Sequence, residues 1–293
     1  MRFEGCLSAI PTPFTADGID ERTLAEHAAW MVDNGCDGVV VVGTTGESAT
    51  MTDDEKIRAM QVVLEAVGDR ATVIGGAGNN CTAESLDFVR RVNRETRVHG
   101  IMSVVPYYTK PPQDGIKLHF RAIADLSTVP VIIYNVPSRS VVSMTPATML
   151  ELVDHPNITA VKEASGDIHV AGLLASDVGD RATLLSGDDG TAMAFIAVGG
   201  HGLISVASNV APREMSAMCR SARAGDLAAA RVGNAVAVQL QNLLFEMASP
   251  IPVKTVMAHL GFGAADVRAP LCPMPPEAAA RLLAATDALG LVR

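Results

Sequence analysis

Gly38-Val39-Val40-Val41-Val42-Gly43 sets four β-branched residues in a row between two glycines. A strand with one wet face alternates apolar and polar side chains. An unbroken apolar run suits a strand covered on both faces, as parallel strands are when helices cross over them. Similar short β-rich runs recur on either side of it, at 5–10, 71–76, 100–105, 131–135, 158–162, 183–186 and 203–206. With 38–43 they make eight, at the spacing of βαβ units of roughly 30 residues each.

Helical patterns fill the gaps. Thr52-Asp53-Asp54-Glu55 has the form of a capping box, followed by Ile57, Met60, Val63, Leu64 and Val67 on one stripe and Gly68 as a stop. Thr145-Pro146 places a cap residue before a helix-starting proline, and Leu24, Ala28, Met31 and Val32 trace another core-facing stripe. A doubly wound open sheet also alternates strands with helices. Eight units favour closure, so the expected fold is α/β, a TIM (β/α)8 barrel. Beyond residue 206 the strand signal stops, and 213–223, 226–245, 253–260 and 276–289 have helical patterns only. The expected organisation is a barrel domain over 1–224 and a helical C-terminal extension over 225–293, with no linker between them.

The bulk composition narrows the function classes. Of 293 residues 48% are hydrophobic and mean hydropathy is +0.26, yet no apolar stretch approaches the ~20 residues of a spanning helix. The first residues run into a strand-like segment without a charged-then-apolar leader, so a soluble, cytoplasmic protein is expected. A net charge of −9 argues against nucleic acid or an anionic membrane as partner, while leaving room for an anionic small molecule in a locally basic pocket. The five cysteines are scattered without a C-x-x-C pair and the seven histidines lack H-E-x-x-H spacing. Neither a disulfide framework, a metal nor an organic cofactor is expected. His99 and His201 each precede an apolar run and are expected to be strand-end residues.

Catalytic groups of a barrel gather at the C-terminal strand ends. Lys162 closes the run 158–162, where an amine is costly to bury unless it is used. Desolvated lysines lose basicity and become Schiff-base nucleophiles, although an isolated lysine can also snorkel to water. Gly43-Thr44-Thr45-Gly46-Glu47-Ser48 ends the second run with two hydroxyls between glycines, a turn able to offer N–H and O–H donors to a carboxylate. All three tyrosines fall at strand ends: Tyr107 and Tyr108 after the fourth run, Tyr134 in the fifth. A phenol beside an amine can move protons during carbinolamine formation and dehydration; its plain alternative is rim packing. Arg139 offers a fixed fork for a second carboxylate, or a surface salt bridge. Asp188 or Asp189 is expected to cap the following helix rather than act in catalysis. Together these groups suit a class I aldol-type reaction on a 2-oxo acid.

The same segments, with Val161-Lys162-Glu163-Ala164, Leu185-Ser186-Gly187-Asp188-Asp189, His201-Gly202-Leu203-Ile204-Ser205-Val206 and Pro250-Ile251-Pro252-Val253-Lys254, closely resemble the dihydrodipicolinate synthase family of pyruvate-dependent aldolases. The resemblance runs from the first strand to the last helix. It implies a lyase that condenses pyruvate with L-aspartate 4-semialdehyde in the diaminopimelate route to lysine. On that resemblance Lys162 forms the Schiff base and Tyr134 exchanges protons. Thr45 links Tyr134 to Tyr108, with Thr44 in support. Thr45 and Ile204 border the pyruvate, Gly187 lies nearby through its backbone, and Arg139 takes the second substrate's carboxylate. The resemblance also implies that Tyr108 reaches a neighbouring subunit, in a homotetramer built as a dimer of tight dimers.

Two departures stand out. After Arg139 most relatives carry Thr-Gly, where this chain has Ser140-Val141. Ser48, Ala49, Asn80, Glu84 and Tyr107 match the feedback lysine site of sensitive relatives, but Asp53 and Lys56 stand where enterobacterial relatives have histidines, which implies weak inhibition. Two other readings remain at this stage. One is another pyruvate-dependent lyase of the same barrel, such as a sugar acid aldolase, which lacks an arginine at the position of Arg139. The other is a non-catalytic metabolite-binding barrel.

Overall fold

The computed structural model describes residues 2–291. Among them ten strands form. β1 (Gly5–Ala9) opens the barrel, β2 (Phe14–Thr15) and β3 (Gly18–Ile19) make a separate antiparallel hairpin, and β4 (Gly38–Val41) and β5 (Thr72–Gly76) follow. β6 (Gly100–Val104), β7 (Val131–Asn135), β8 (Ile158–Glu163), β9 (Thr183–Ser186) and β10 (Gly202–Ser205) complete the wall. The eight barrel strands are parallel and close through pairing of β10 with β1. Every expected run is a strand, with ends displaced by no more than two residues; the hairpin is too short to leave a pattern in the sequence.

The crossover helices are α1 (Glu21–Asp33), α2 (Asp53–Val67), α3 (Thr82–Glu95) and α4 (Gln113–Leu126), then the single turn α5 (Pro137–Ser140), α6 (Pro146–Leu152), α7 (Ile168–Val178), α8 (Ala192–Ala197) and α9 (Pro212–Arg223). The extension consists of α10 (Leu227–Leu244), α11 (Ile251–His259) and α12 (Pro276–Asp287). Both expected caps form. Thr52 and Glu55 exchange side-chain and backbone bonds in a capping box, and the Thr145 hydroxyl accepts from Thr148 N–H.

Strand alternation splits the apolar residues between two cores. Along β7, Ile132 and Tyr134 face the barrel axis while Val131 and Ile133 meet the surrounding helices. Along β8, Ala160 faces inward and Val161 outward, so parity returns Lys162 to the interior. Phe3 plugs the N-terminal end against Gly100, where any Cβ would lie 2.6 Å from the phenyl ring. His99 and His201 behave as strand-end residues. Each accepts through Nδ1 from a backbone N–H of the preceding strand, Val73 and Leu184, at 3.0 Å, prolonging the ladder by a side chain.

The outer core continues without a break from Met215 and Met218 of α9 into Leu240, Val253, Met257 and Leu282 of the extension. A polar joint adds to this apolar contact. Lys254 of α11 donates to Glu47, in the turn after β4, at 2.6 Å, and both side chains are almost wholly buried. The second oxygen of Glu47 accepts from Arg268 N–H at 2.9 Å. Lys254 and Arg268 both lie against the ring of Phe14, at 4.4 and 4.1 Å. Burial lowers the Lys254 pKa and the Glu47 carboxylate opposes that shift.

Removing one member of such a pair strands the other charge in the interior. The Lys254→Met variant is expected to lose about 3–5 kcal/mol of stability. The E47Q/K254M double variant is expected to recover part of that loss. Denaturant midpoints of the three proteins check this, and equal losses in single and double variants would contradict it.

Candidate active site

Lys162 and Tyr134 are register partners on β8 and β7, and both point along the barrel axis. The Lys162 amine lies 4.2 Å from the centroid of the Tyr134 ring. Only 6% of the lysine is exposed. Desolvation penalises its ammonium form and lowers the pKa to about 7; the Asp189 carboxylate opposes this and the Arg139 cation reinforces it. Burial likewise raises the Tyr134 pKa, against a hydrogen bond with Thr44 and the charge of Arg139. Near neutral pH the site therefore holds an amine that is partly neutral beside a phenol that keeps its proton.

Room for the amine is made on the next strand end. A Cβ on Gly187 would lie 2.9 Å from Lys162 Cε and 2.5 Å from Ala164 Cβ. The Gly187 N–H donates to Glu163 O at 2.7 Å, which holds the turn after β9 against β8. Ile204, on β10, is buried in the same interior cluster as Tyr134. Thr45 is buried and Thr44 half-buried, and it is Thr44 whose hydroxyl opposes the upward shift of the Tyr134 phenol.

Above these residues opens a cleft of about 680 Å³. Thr44, Tyr134 and Arg139 line one part of it. Ser48, Ala49, Glu84 and Tyr107, expected to form a regulatory site, line the rest together with Asp53 and Lys56. Asn80 is half-buried outside the lining, and its neighbour Asn79 takes that place, bonded to Glu84 at 2.7 Å. Lys56 pairs with Asp53 at 2.9 Å. Tyr108 does not line the cleft. It is 85% exposed, with a backbone φ of 71°.

Among the described residues, the non-glycine residues with positive φ are Val42, Glu47, Tyr108, Lys110 and Val141. All five lie in loops following β4, β6 and β7, at the end of the barrel where Lys162 emerges. Such conformations cost about 1–3 kcal/mol each and persist where surrounding contacts over-determine them. Val42 and Val141 are the costliest kind, β-branched residues with positive φ. Ser140 retains the use of its hydroxyl, which lies 3.0 Å from Val136 O and 2.6 Å from Val142 O. Arg139 itself reaches Ser249 O, in the segment leading to α11, at 3.3 Å.

The expectation for Asp188 and Asp189 needs correction. Thr191 is the N-cap of α8. Asp188 bonds the N–H and hydroxyl of that threonine and the Gln241 amide of α10. Asp189 is buried, accepting from the Ser205 hydroxyl and from Val206 and Ala207 N–H. It is the acidic group that Lys162 feels, and the strand-end motif gave only a weak hint of it.

The arrangement suits nucleophilic capture of a carbonyl. It combines an amine of lowered basicity, a proton-carrying phenol, hydroxyl and N–H donors in the turn after β4, and a guanidinium at the cleft wall. Many known proteins are similar to this chain in sequence and fold. The chain matches the model described as the dihydrodipicolinate synthetase family over residues 2–288. It is 44% identical, over 293 residues and the full length of both chains, to the 4-hydroxy-tetrahydrodipicolinate synthase of Moorella thermoacetica. The crystal structure of the chloride-inhibited dihydrodipicolinate synthase from Acinetobacter baumannii complexed with pyruvate superposes with a TM-score of 0.96 at 33% identity, covering 99% of each chain. That of the Cyanidioschyzon merolae enzyme with lysine bound gives 0.94 at 36% identity, again over 99% of each.

The lowered pKa of Lys162 has a measurable linkage. Between about 7 and the ordinary 10.5, the unfolded chain holds a proton that the folded chain has lost. This group therefore makes stability rise with pH across that window, by at most about 1.4 kcal/mol per pH unit. The Lys162→Met variant lacks the slope, so its stability advantage over the wild type is expected to shrink between pH 7 and pH 9. Urea midpoints at the two values test this, and a constant difference would contradict it.

Proposed function

Since the chain belongs to the dihydrodipicolinate synthetase family, we propose that the groups gathered around Lys162 condense pyruvate with L-aspartate 4-semialdehyde to give 4-hydroxy-tetrahydrodipicolinate. The observation that carries this reading is the desolvated Lys162 amine stacked on Tyr134, with Arg139 felt by both.

The neutral amine attacks C2 of pyruvate, and the carbinolamine loses its hydroxyl as water when a proton is delivered through Tyr134. Thr44 holds that phenol, and Thr45 continues the relay toward a Tyr108 from a second subunit. Loss of a C3 proton gives an enamine, which adds to the aldehyde carbon of the semialdehyde. The substrate's own amine then displaces Lys162 from C2, closing the ring and freeing the enzyme. Thr45, Ile204 and the backbone at Gly187 border the pyruvate, and Arg139 binds the carboxylate of the second substrate.

Three further assignments rest on the same reading. The extension 225–293 acts on the barrel 1–224 through Lys254 and through Ser249 O, which steadies Arg139. The assembly is a homotetramer of two tight dimers in the cytoplasm; the exposed, strained Tyr108 supports the tight pair, and no helix among the described residues is long and apolar enough to cross a membrane. The arm of the cleft carrying Ser48, Ala49, Glu84 and Tyr107, with Asn80 beside it, is a weakened lysine site. There the Lys56 ammonium repels the ligand's ammonium and its partner Asp53 only partly offsets it.

Incubation with pyruvate and borohydride is expected to modify Lys162, located by peptide mass, with a rate that rises through pH of about 7 and then levels. No adduct at Lys162 would sink the assignment. The Arg139→Ala variant is expected to raise KM for the semialdehyde by tenfold or more, while pyruvate is still trapped at Lys162 and the pH at which trapping levels moves up with the loss of the neighbouring cation. Titration with L-lysine is expected to inhibit weakly, and strong inhibition at low concentration would overturn the weakened-site assignment.

A further inference from the structure

β7 and β8 are paired at two successive rungs, Tyr134 with Lys162 and Asn135 with Glu163. Alternation sends the first pair into the barrel and the second to the opposite side of the sheet. There the Glu163 carboxylate accepts from the Asn135 amide at 2.7 Å and from Ser165 N–H at 2.6 Å. The other end of the same amide, Asn135 Oδ1, accepts from Met144 N–H at 3.0 Å. Asn135 and Glu163 are 1% and 2% exposed, so these bonds form out of water, where leaving one unmade is costly.

Met144 is where the chain returns after presenting Arg139. The excursion leaves β7 at Asn135, turns through α5 and the left-handed Val141, and comes back beside its starting point. Gln113 of α4 holds the outer side of the return, at Ser143 O and Thr145 N–H. The inner side is held by Asn135. A loop carrying an unfavourable φ at Val141 relaxes unless both sides of its base are tied.

We propose that Asn135 and Glu163 form the positioning pair of this reaction, an amide–carboxylate strut that sets the loop bearing Arg139 and hence the grip on the second substrate. The proposal rests on the assignment of Arg139 to that substrate. Neither residue touches the reacting atoms. The strut acts through the loop, so its loss is felt by the semialdehyde and spares the capture of pyruvate at Lys162.

The Asn135→Asp variant sets two carboxylates face to face and breaks the strut at constant size. It is expected to raise KM for L-aspartate 4-semialdehyde by tenfold or more, leaving KM for pyruvate and the rate of pyruvate–borohydride trapping within about twofold of wild type. The N135D/E163Q variant restores every bond with the donor reversed: the carboxylate at 135 accepts from Met144 N–H and from the amide at 163, whose oxygen still accepts from Ser165 N–H. It is expected to bring the semialdehyde KM most of the way back. Equal changes in both KM values, no change in either, or failure of the double variant to recover would overturn the proposal. Should N135D not fold, the double variant and Glu163→Gln, expected to give a smaller rise because one acceptor is lost, carry the same comparison. Absence of a pyruvate adduct at Lys162 in the wild type would instead overturn the functional reading on which the proposal stands.

Discussion

The amine of Lys162 has been taken out of water, and most of the molecule is arranged around that fact. A strand side chain faces the axis or the helices by parity alone, and the parity of β8 points this cation inward among Tyr134, Ala160 and Ile204. An ion there loses more hydration than the field of one distant carboxylate returns, so its proton becomes easy to lose. The barrel supplies the dry interior, the tyrosine ring gives the remaining cation a face to rest on, and Gly187 leaves the stem its space. Of these groups only Gly187 lies outside a strand, at the first position of the turn after β9. The scaffold makes the nucleophile, and the loops decide what meets it.

The loops are accordingly where strain is found. Val42, Glu47, Tyr108, Lys110 and Val141 adopt backbone conformations that L-residues avoid, all at one end of the barrel. Two of the three loops are anchored to the segments around α11. The turn after β4 is tied to the extension through Glu47 and Lys254, and the loop after β7 through Arg139 and Ser249 as well as through Asn135. The loop after β6 leaves Tyr108 in solvent, in keeping with the second-subunit role proposed for it.

The barrel was legible in the sequence because strands covered on both faces are apolar throughout, and because Thr52 and Thr145 mark helix starts with bonds that span only three residues. Lys162, Tyr134 and Arg139 were legible as chemically costly residues at strand ends, and they do come together. What escaped is non-local. Glu47 sits in a glycine-bounded turn and Lys254 in an ordinary helix, with nothing in either segment to announce the other. Asn135 and Glu163 flank the conspicuous residues, and their pairing follows from the register of β7 on β8, which hydrophobic pattern alone does not set. Asp188 or Asp189 was expected as a cap because acidic residues before a helix commonly are caps, and Asp189 is instead buried. Its burial depends on Ser205, at the end of β10, and on the backbone N–H groups of Val206 and Ala207 just beyond it.

The Glu47–Lys254 joint bears on the order in which the molecule is made. The two partners are 207 residues apart, so the turn that carries Thr44 and Thr45 leaves the ribosome early and waits for the last part of the chain to neutralise its carboxylate. Until α11 arrives, a nascent barrel keeps Glu47 hydrated and its turn untethered, even with all eight strands already synthesised. Completion of the chemistry is thereby tied to completion of the polypeptide: a chain halted before α11 has its lysine in place and lacks the settled turn above it.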